Sequence, residues 1–250
     1  MALSDSMEIS RALLRERRTV WESKPILKKL YARWYGRIGE ALAPGRTLEL
    51  GGGSGNLKEF FPECIGTDIV FSSWLDTVLD AQELPFIGQS FDNIVLFDVL
   101  HHLSAPVRFF MEAQRILKPG GRVILMEPYV SPFSYVAYRF FHQEGLDREV
   151  DPLGPQPKDQ SKDPFAGNQA VPSLIFEKQR KQFEILFPDF QIVNMQKTDF
   201  IAYPLSGGFH GANLHPLFLW AFTERVEKWL QPLASCLAFR MFIVLEKYSV

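Results

Sequence analysis

Cysteine is scarce in this chain of 250 residues: Cys64 and Cys236 are the only two. They form no metal-ligand spacing and no disulfide framework. Cys64 lies in an apolar run and reads as a small core residue. An excess of positive charge is also missing. The net charge is −2, so composition gives no support to nucleic-acid binding, and any basic patch would have to be local. No uncharged apolar run reaches about 18 residues, the length that suggests a spanning helix. The opening MALSDSMEISRALLRERR lacks the apolar stretch of a secretory signal. A cytoplasmic protein is the expectation. What remains is an ordinary globular composition, 46% hydrophobic and 22% charged, enough for one domain with a full core. One surplus stands out: there are 22 phenylalanines, many of them after residue 130.

The pattern along the chain is helical first. Residues 23–42 carry Ile26, Leu30, Tyr31, Trp34, Ile38 and Leu42 at helical spacing, with Ser23 as the expected N-cap and Pro25 in the first turn. Short apolar runs then alternate with helical ones. TLELG, CIGTDIV, FDNIVLFDVL and RVILMEP read as strands. NLKEFFP and APVRFFMEAQRILKPGG read as helices, the second stopping at Gly120. SSWLDTVLDAQ is helix or loop. Strands that are apolar on both faces and separated by helices imply a parallel sheet covered on both sides. Residues 131–172 break the pattern with a run rich in Pro, Asp, Gly and Lys, too long for a plain connection. SLIFEKQRKQFEILFP is helical, with Leu174, Phe183, Leu186 and Phe187 facing inward. HPLFLWAFTERVEKWLQP is a further helix, with Leu219, Phe222, Val226, Trp229 and Leu230 on one stripe. FQIVNMQKTDFIAYP and FRMFIVLEKYS close the chain as strands.

The chemistry starts at Glu49-Leu50-Gly51-Gly52-Gly53-Ser54-Gly55. A dinucleotide fingerprint would need glycine at 56, where Asn56 stands. A phosphate loop would need a Gly-Lys pair that does not follow. Asp68 sits at the end of the second strand, the position that faces a ribose in doubly wound sheets. These residues, with DAQELPFIGQSFDNIVLFDVLHHL and LKPGGRVILMEP in order behind them, resemble the class I S-adenosylmethionine-dependent methyltransferases over residues 45–128.

That resemblance implies a doubly wound, seven-stranded, mostly parallel α/β sheet with an antiparallel last strand and a helical cover. It implies S-adenosyl-L-methionine as cofactor and no metal. Glu49, Gly51, Gly52, Gly53, Gly55 and Asn56 would hold the amino-acid end, Asp68 and Ile69 the ribose side, and Asp80 and Ala81 the adenine. Phe97 and Asp98 close the strand beside the methyl group. A single domain over 1–250 is expected, with N-terminal helices at 1–44, a cofactor-binding core at 45–130, and substrate-cover insertions at 131–172 and 204–235.

Methyl transfer needs a base only when the acceptor must lose a proton. His101 or His102 is the candidate, at an ordinary imidazole pKa of about 6.5. The plainer reading is that one packs or caps the next helix and the other meets the cofactor through its backbone. His142 and Glu144 are outside candidates. A small-molecule acceptor is expected; an apolar or lipid-linked compound is one reading of the aromatic surplus, after a lid packed on the sheet or a dimer seam. A membrane-surface contact is a weaker alternative to a lid or a dimer seam. The competing functions are a non-catalytic S-adenosylmethionine-binding regulatory module and a nicotinamide-dependent oxidoreductase, which Asn56 speaks against.

Overall fold

The computed structural model describes residues 3–141, 144–155, 159 and 162–248. Seven strands form one sheet: β1 (Thr47–Leu50), β2 (Ile65–Asp68), β3 (Thr77–Val78), β4 (Phe91–Phe97), β5 (Leu117–Pro128), β6 (Phe190–Thr198) and β7 (Arg240–Lys247). Their order is β3-β2-β1-β4-β5-β7-β6. The first five pair in parallel, and β7 runs antiparallel to both β5 and β6. The expected sheet class is therefore observed. The reversal of strand order beside β1 opens a crevice at the carboxyl ends of β1 and β4, where ligands bind in doubly wound sheets.

The helices are α1 (Leu3–Ser23), α2 (Pro25–Ala41), α3 (Leu57–Phe60), α4 (Pro106–Ile116), α5 (Pro132–Phe141), α6 (Val171–Ser173), α7 (Arg180–Leu186), α8 (Ala202–Ser206), α9 (Trp220–Trp229) and α10 (Ala234–Leu237). A π-helical stretch, Leu174–Lys178, links α6 and α7. The sheet separates two apolar clusters. On one side α4 and α7 bring Phe109, Phe110, Phe183 and Phe187 against Leu48, Ile94 and Leu125. On the other, α2 lays Ile26, Leu30, Trp34 and Ile38 against Val95, Ile124 and Phe242. β1, with all four residues buried, contributes to the core while ending in the glycine turn.

Several local expectations need correction. Ser23 does not cap α2. α1 runs through Ser23, whose hydroxyl donates back to Val20 O at 3.2 Å, and Pro25 alone pre-sets the new helix. Residues 72–82 form no helix: Thr77 and Val78 pair with Thr67 and Asp68 as the edge strand β3. Asp76 accounts for this, since its carboxylate takes the Gly66 amide at 2.8 Å and the Lys58 ammonium. α4 ends at Ile116, before Gly120, because Leu117 already pairs with Phe91. Leu186 is 45% exposed and faces away from the core. Much of the apolar stripe at 219–230 also points outward: Phe222 and Trp229 are exposed, Val226 and Leu230 are half-buried, and Thr223 and Glu227 are buried.

Candidate active site

The glycine turn is built by tight approaches. Gly51 has φ +70°, and a Cβ there would stand 2.3 Å from Val99 Cγ2. Both facts exclude a side chain. Gly53 has φ +51°, and a Cβ there would meet Leu14 Cδ2 of α1 at 3.8 Å, an ordinary contact, so the backbone angle rather than crowding favours glycine. The turn is tied to β2 by Gly52 N donating to Thr67 O at 2.7 Å. Gly53 N donates to Asp68 Oδ2 at 2.9 Å. The other Asp68 oxygen accepts from Val70 N at 2.8 Å. Burial raises the Asp68 pKa, opposed by those amide hydrogen bonds.

Glu49 lies beneath the turn, 97% out of solvent, with its carboxylate near the Cα of Gly52 and of Gly66. Burial, and next the nearby Asp68 charge, push its pKa up to about 8. At neutral pH it is a protonated acid. Two buried acceptors at the turn, Glu49 Oε2 and Asn56 Oδ1, have no protein partner. Unsatisfied buried oxygens beside a glycine turn suit a ligand that brings ammonium or hydroxyl donors, so these residues fit the amino-acid end of S-adenosylmethionine. The following helix, α3, is a single turn of four residues, so its dipole adds little.

Along the same edge, Ile69 is 43% exposed and Ala81 is buried. Asp80 Oδ1 accepts from the Gln82 amide at 2.8 Å. At the end of β4, Asp98 has φ +56° and forms a two-pronged ion pair with Arg240 at 2.6 and 3.1 Å. Arg240 is fully buried at the start of β7. Its guanidinium lies over Trp34, Phe97 and Tyr203 at 4.7, 4.9 and 5.2 Å. Phe97 stacks on Tyr31 at 5.0 Å. Burial lifts the Tyr203 phenol to about 12, so it stays protonated. The wall beyond Asp98 is thus aromatic, with its one cation already neutralised.

The two histidines have opposite characters. His101 is buried, with Nδ1 2.7 Å from Glu127 and Nε2 3.1 Å from Glu144. Burial alone would lower its pKa, but the two carboxylates overcome this and raise it to about 10. His101 is therefore an imidazolium with both nitrogens engaged. His102, whose ring lies 4.1 Å from it at a 41° tilt, is driven down to about 3 by burial and by the His101 charge. It is a neutral imidazole whose Nδ1 is buried without a partner. Ligating atoms of His101, His102 and Glu144 lie within 4.8 Å of one another, as do those of Asp98, His101 and Glu127; His101 bridges Glu127 and Glu144. His142 lies outside the described residues.

Glu127 also accepts from the amides of Val99 and Leu100 at 2.9 and 2.8 Å, which fixes the turn that carries both histidines. Glu144 and Gln169 come from the 131–172 insertion and hydrogen-bond each other. Lys162 donates to His102 O at 2.7 Å. From the other side α1 closes on the turn: Arg18 donates to Ser54 O at 3.1 Å, and Arg17 lies 4.8 Å over the Phe165 ring. The basic residues of α1 thus do more than face solvent.

Arg240 and Glu127 were missed by sequence reasoning. Each carried a usable signal, a charge abutting an apolar run, Glu127 after VILM and Arg240 before MFIVL, much as Asp68 closes β2.

The comparisons with known proteins agree with this geometry. A family model described as a methyltransferase domain matches residues 24–170. The ubiquinone/menaquinone biosynthesis C-methyltransferase UbiE of Proteus mirabilis is 29% identical over 123 residues, which are 38% of this chain and 49% of that protein. The chain thus spans about half the length of the curated relatives it matches. Among solved structures, an S-adenosylmethionine-dependent methyltransferase from Archaeoglobus fulgidus superposes with TM-score 0.51 at 17% identity, covering 88% of this chain and 94% of that one. The [4+2]-cyclase SpnF superposes with TM-score 0.50 at 17% identity, covering 87% and 81%. With the glycine turn, the strand-end carboxylates and the histidine pair all inside the matched stretch, the chain belongs to the class I S-adenosylmethionine-dependent methyltransferase family.

Proposed function

We propose that this protein transfers a methyl group from S-adenosylmethionine to a small, largely apolar acceptor. The observation that carries the reading is the pair of unpartnered buried oxygens, Glu49 Oε2 and Asn56 Oδ1, beneath a glycine turn held by the Asp68 carboxylate. When bound, the cofactor supplies an already activated methyl group for in-line displacement. The chain's own task is then to orient the two partners and exclude water. α1, Trp74 and the 162–170 segment close over the turn from two sides. Phe97, Tyr31 and Tyr203 pack beside Asp98 and Arg240 in the cluster beneath α2, and we assign them as the apolar wall of the acceptor side.

An apolar acceptor follows from that wall, and a lipid-linked aromatic ring is its best form. The quinone biosynthesis named for the UbiE relatives supports this choice. In this arrangement His101 cannot take a proton, since it is already charged and doubly bonded. His102 is too weak a base to hold one near neutrality. The histidine pair therefore positions the β4 turn, and the acceptor loses its proton after transfer or to solvent. Fold alone does not dictate methyl transfer, as the cyclase neighbour illustrates.

The test pairs binding with turnover. S-adenosylhomocysteine should raise the melting temperature of the wild type, and Asp68→Ala or Gly53→Val should remove that shift. Labelled cofactor incubated with prenylated and unprenylated hydroquinones then reports transfer. Binding without turnover on any acceptor would favour the regulatory module.

A further inference from the structure

Residues 214–233 turn the usual amphipathic pattern inside out. Phe218, Phe222 and Trp229 are 84%, 64% and 87% exposed, and Leu233 is 53% exposed. With Arg225 between them they fall at i, i+4, i+7, i+11 and i+15, one stripe of a helical path. The opposite face is buried and polar. Glu227 accepts from the amides of Phe200, Ile201 and Ala202 and from Arg33 Nη1. Thr223 pairs with His215 at 2.9 Å. The inward Glu227 fixes the orientation: rotating α9 to bury Phe222 would strand three amides and take from Arg33 one of its two carboxylates, leaving Asp199 alone.

α5 repeats the pattern. Phe133, Val136 and Phe140 are 54%, 52% and 74% exposed at i, i+3 and i+7. α5 packs on α10, which begins next to Leu233, so the two apolar faces belong to one side of the molecule. That side lies at the carboxyl edge of the parallel strands, because α5 follows the end of β5 and α9 lies between β6 and β7.

Charge distinguishes what this face meets. Arg139, Arg225 and Lys228 are exposed among the apolar residues. Residues 129–141 contain no acid, and residues 200–239 contain only Glu224 and Glu227, of which Glu227 is buried. Aromatic side chains with interspersed cations and inward-turned acids match the boundary of an anionic bilayer. No described helix is long and apolar enough to cross a membrane, so the element lies on the surface. We propose that the α5–α9 face docks this protein on an anionic lipid bilayer, with the mouth of the site toward the lipid.

The experiment is sedimentation with unilamellar vesicles, of phosphatidylcholine alone or with about a third phosphatidylglycerol. It uses the full chain without cofactor, so its result is independent of the methyl-transfer reading. The wild type should pellet with the anionic vesicles, and less so as salt rises. Arg225→Gln with Lys228→Gln should weaken binding roughly 25-fold, about fivefold per charge removed. Phe218→Ser with Phe222→Ser should abolish it while leaving the melting temperature unchanged, since both rings are exposed. A Trp229 emission that moves to the blue with vesicles, and is missing in Trp229→Phe, places the ring in the interface. The proposal is overturned if the folded wild type stays in the supernatant at low salt. It is also overturned if the phenylalanine variant pellets equally, or if light scattering shows a concentration-dependent dimer that the same variant dissolves.

Discussion

Glu49→Gln should stabilise the protein in the absence of cofactor. Glu49 is buried under the glycine turn with a pKa of about 8 against an ordinary 4.5. Its folded-state pKa is raised, so the native chain keeps a proton that the unfolded chain has released throughout that window. Stability therefore falls as pH rises from 4.5 toward 8. From 4.5 to pH 7, at about 1.4 kcal/mol for each pH step, the cost is about 3 kcal/mol. Glutamine carries no charge and escapes that cost. In a chain of this size a gain of about 3 kcal/mol raises the melting temperature by roughly 6–12 °C. At pH 5 the difference should shrink to below about 1 kcal/mol. Differential scanning fluorimetry of both forms from pH 5 to 8 measures this directly. A variant that is no more stable at pH 7, or a difference that does not grow with pH, would refute the reasoning. The same substitution should also weaken the shift produced by S-adenosylhomocysteine, because an arriving ammonium can draw the proton off Glu49 and pair with the carboxylate, whereas glutamine cannot ionise.

Arg240→Met should lower stability by about 3 kcal/mol in urea unfolding, because it removes a buried ion pair and its aromatic stacking; Asp98→Asn should cost at least as much, since it leaves the Arg240 charge buried and unpaired. Nitrogen-15 spectra of labelled histidine should show both His101 nitrogens protonated at pH 8, and Glu144→Gln should bring that protonation down toward neutrality. His102 should remain neutral down to below pH 5 in the same spectra. Gly51→Ala should destabilise by about 2 kcal/mol or more, adding a clash with Val99 to an unfavourable φ, whereas Gly120→Ala, at φ +75° with nothing within 4 Å, should cost only about 1 kcal/mol.

What the sequence determined by itself is local and periodic. The apolar runs at 94–97 and 123–126 have no polar face to offer solvent, so a sheet covered on both sides was their only burial. The spacing of Gly51, Gly53 and Gly55 behind an acid marked the turn, because only glycine tolerates positive φ there without strain. The edge strand β3 escaped notice, since two residues carry no period and Asp76 holds them in place across the chain. Tertiary structure alone decided the character of the charged groups. His101 and His102 are neighbours of one type in sequence, yet Glu127 and Glu144, from positions 26 and 43 residues away, make one a fixed cation and leave the other neutral. Likewise the apolar period of α9 was visible, but its direction was not. A helical stripe says only that one face differs from the other; Glu227, by capturing three amides and Arg33, decides which face goes inside.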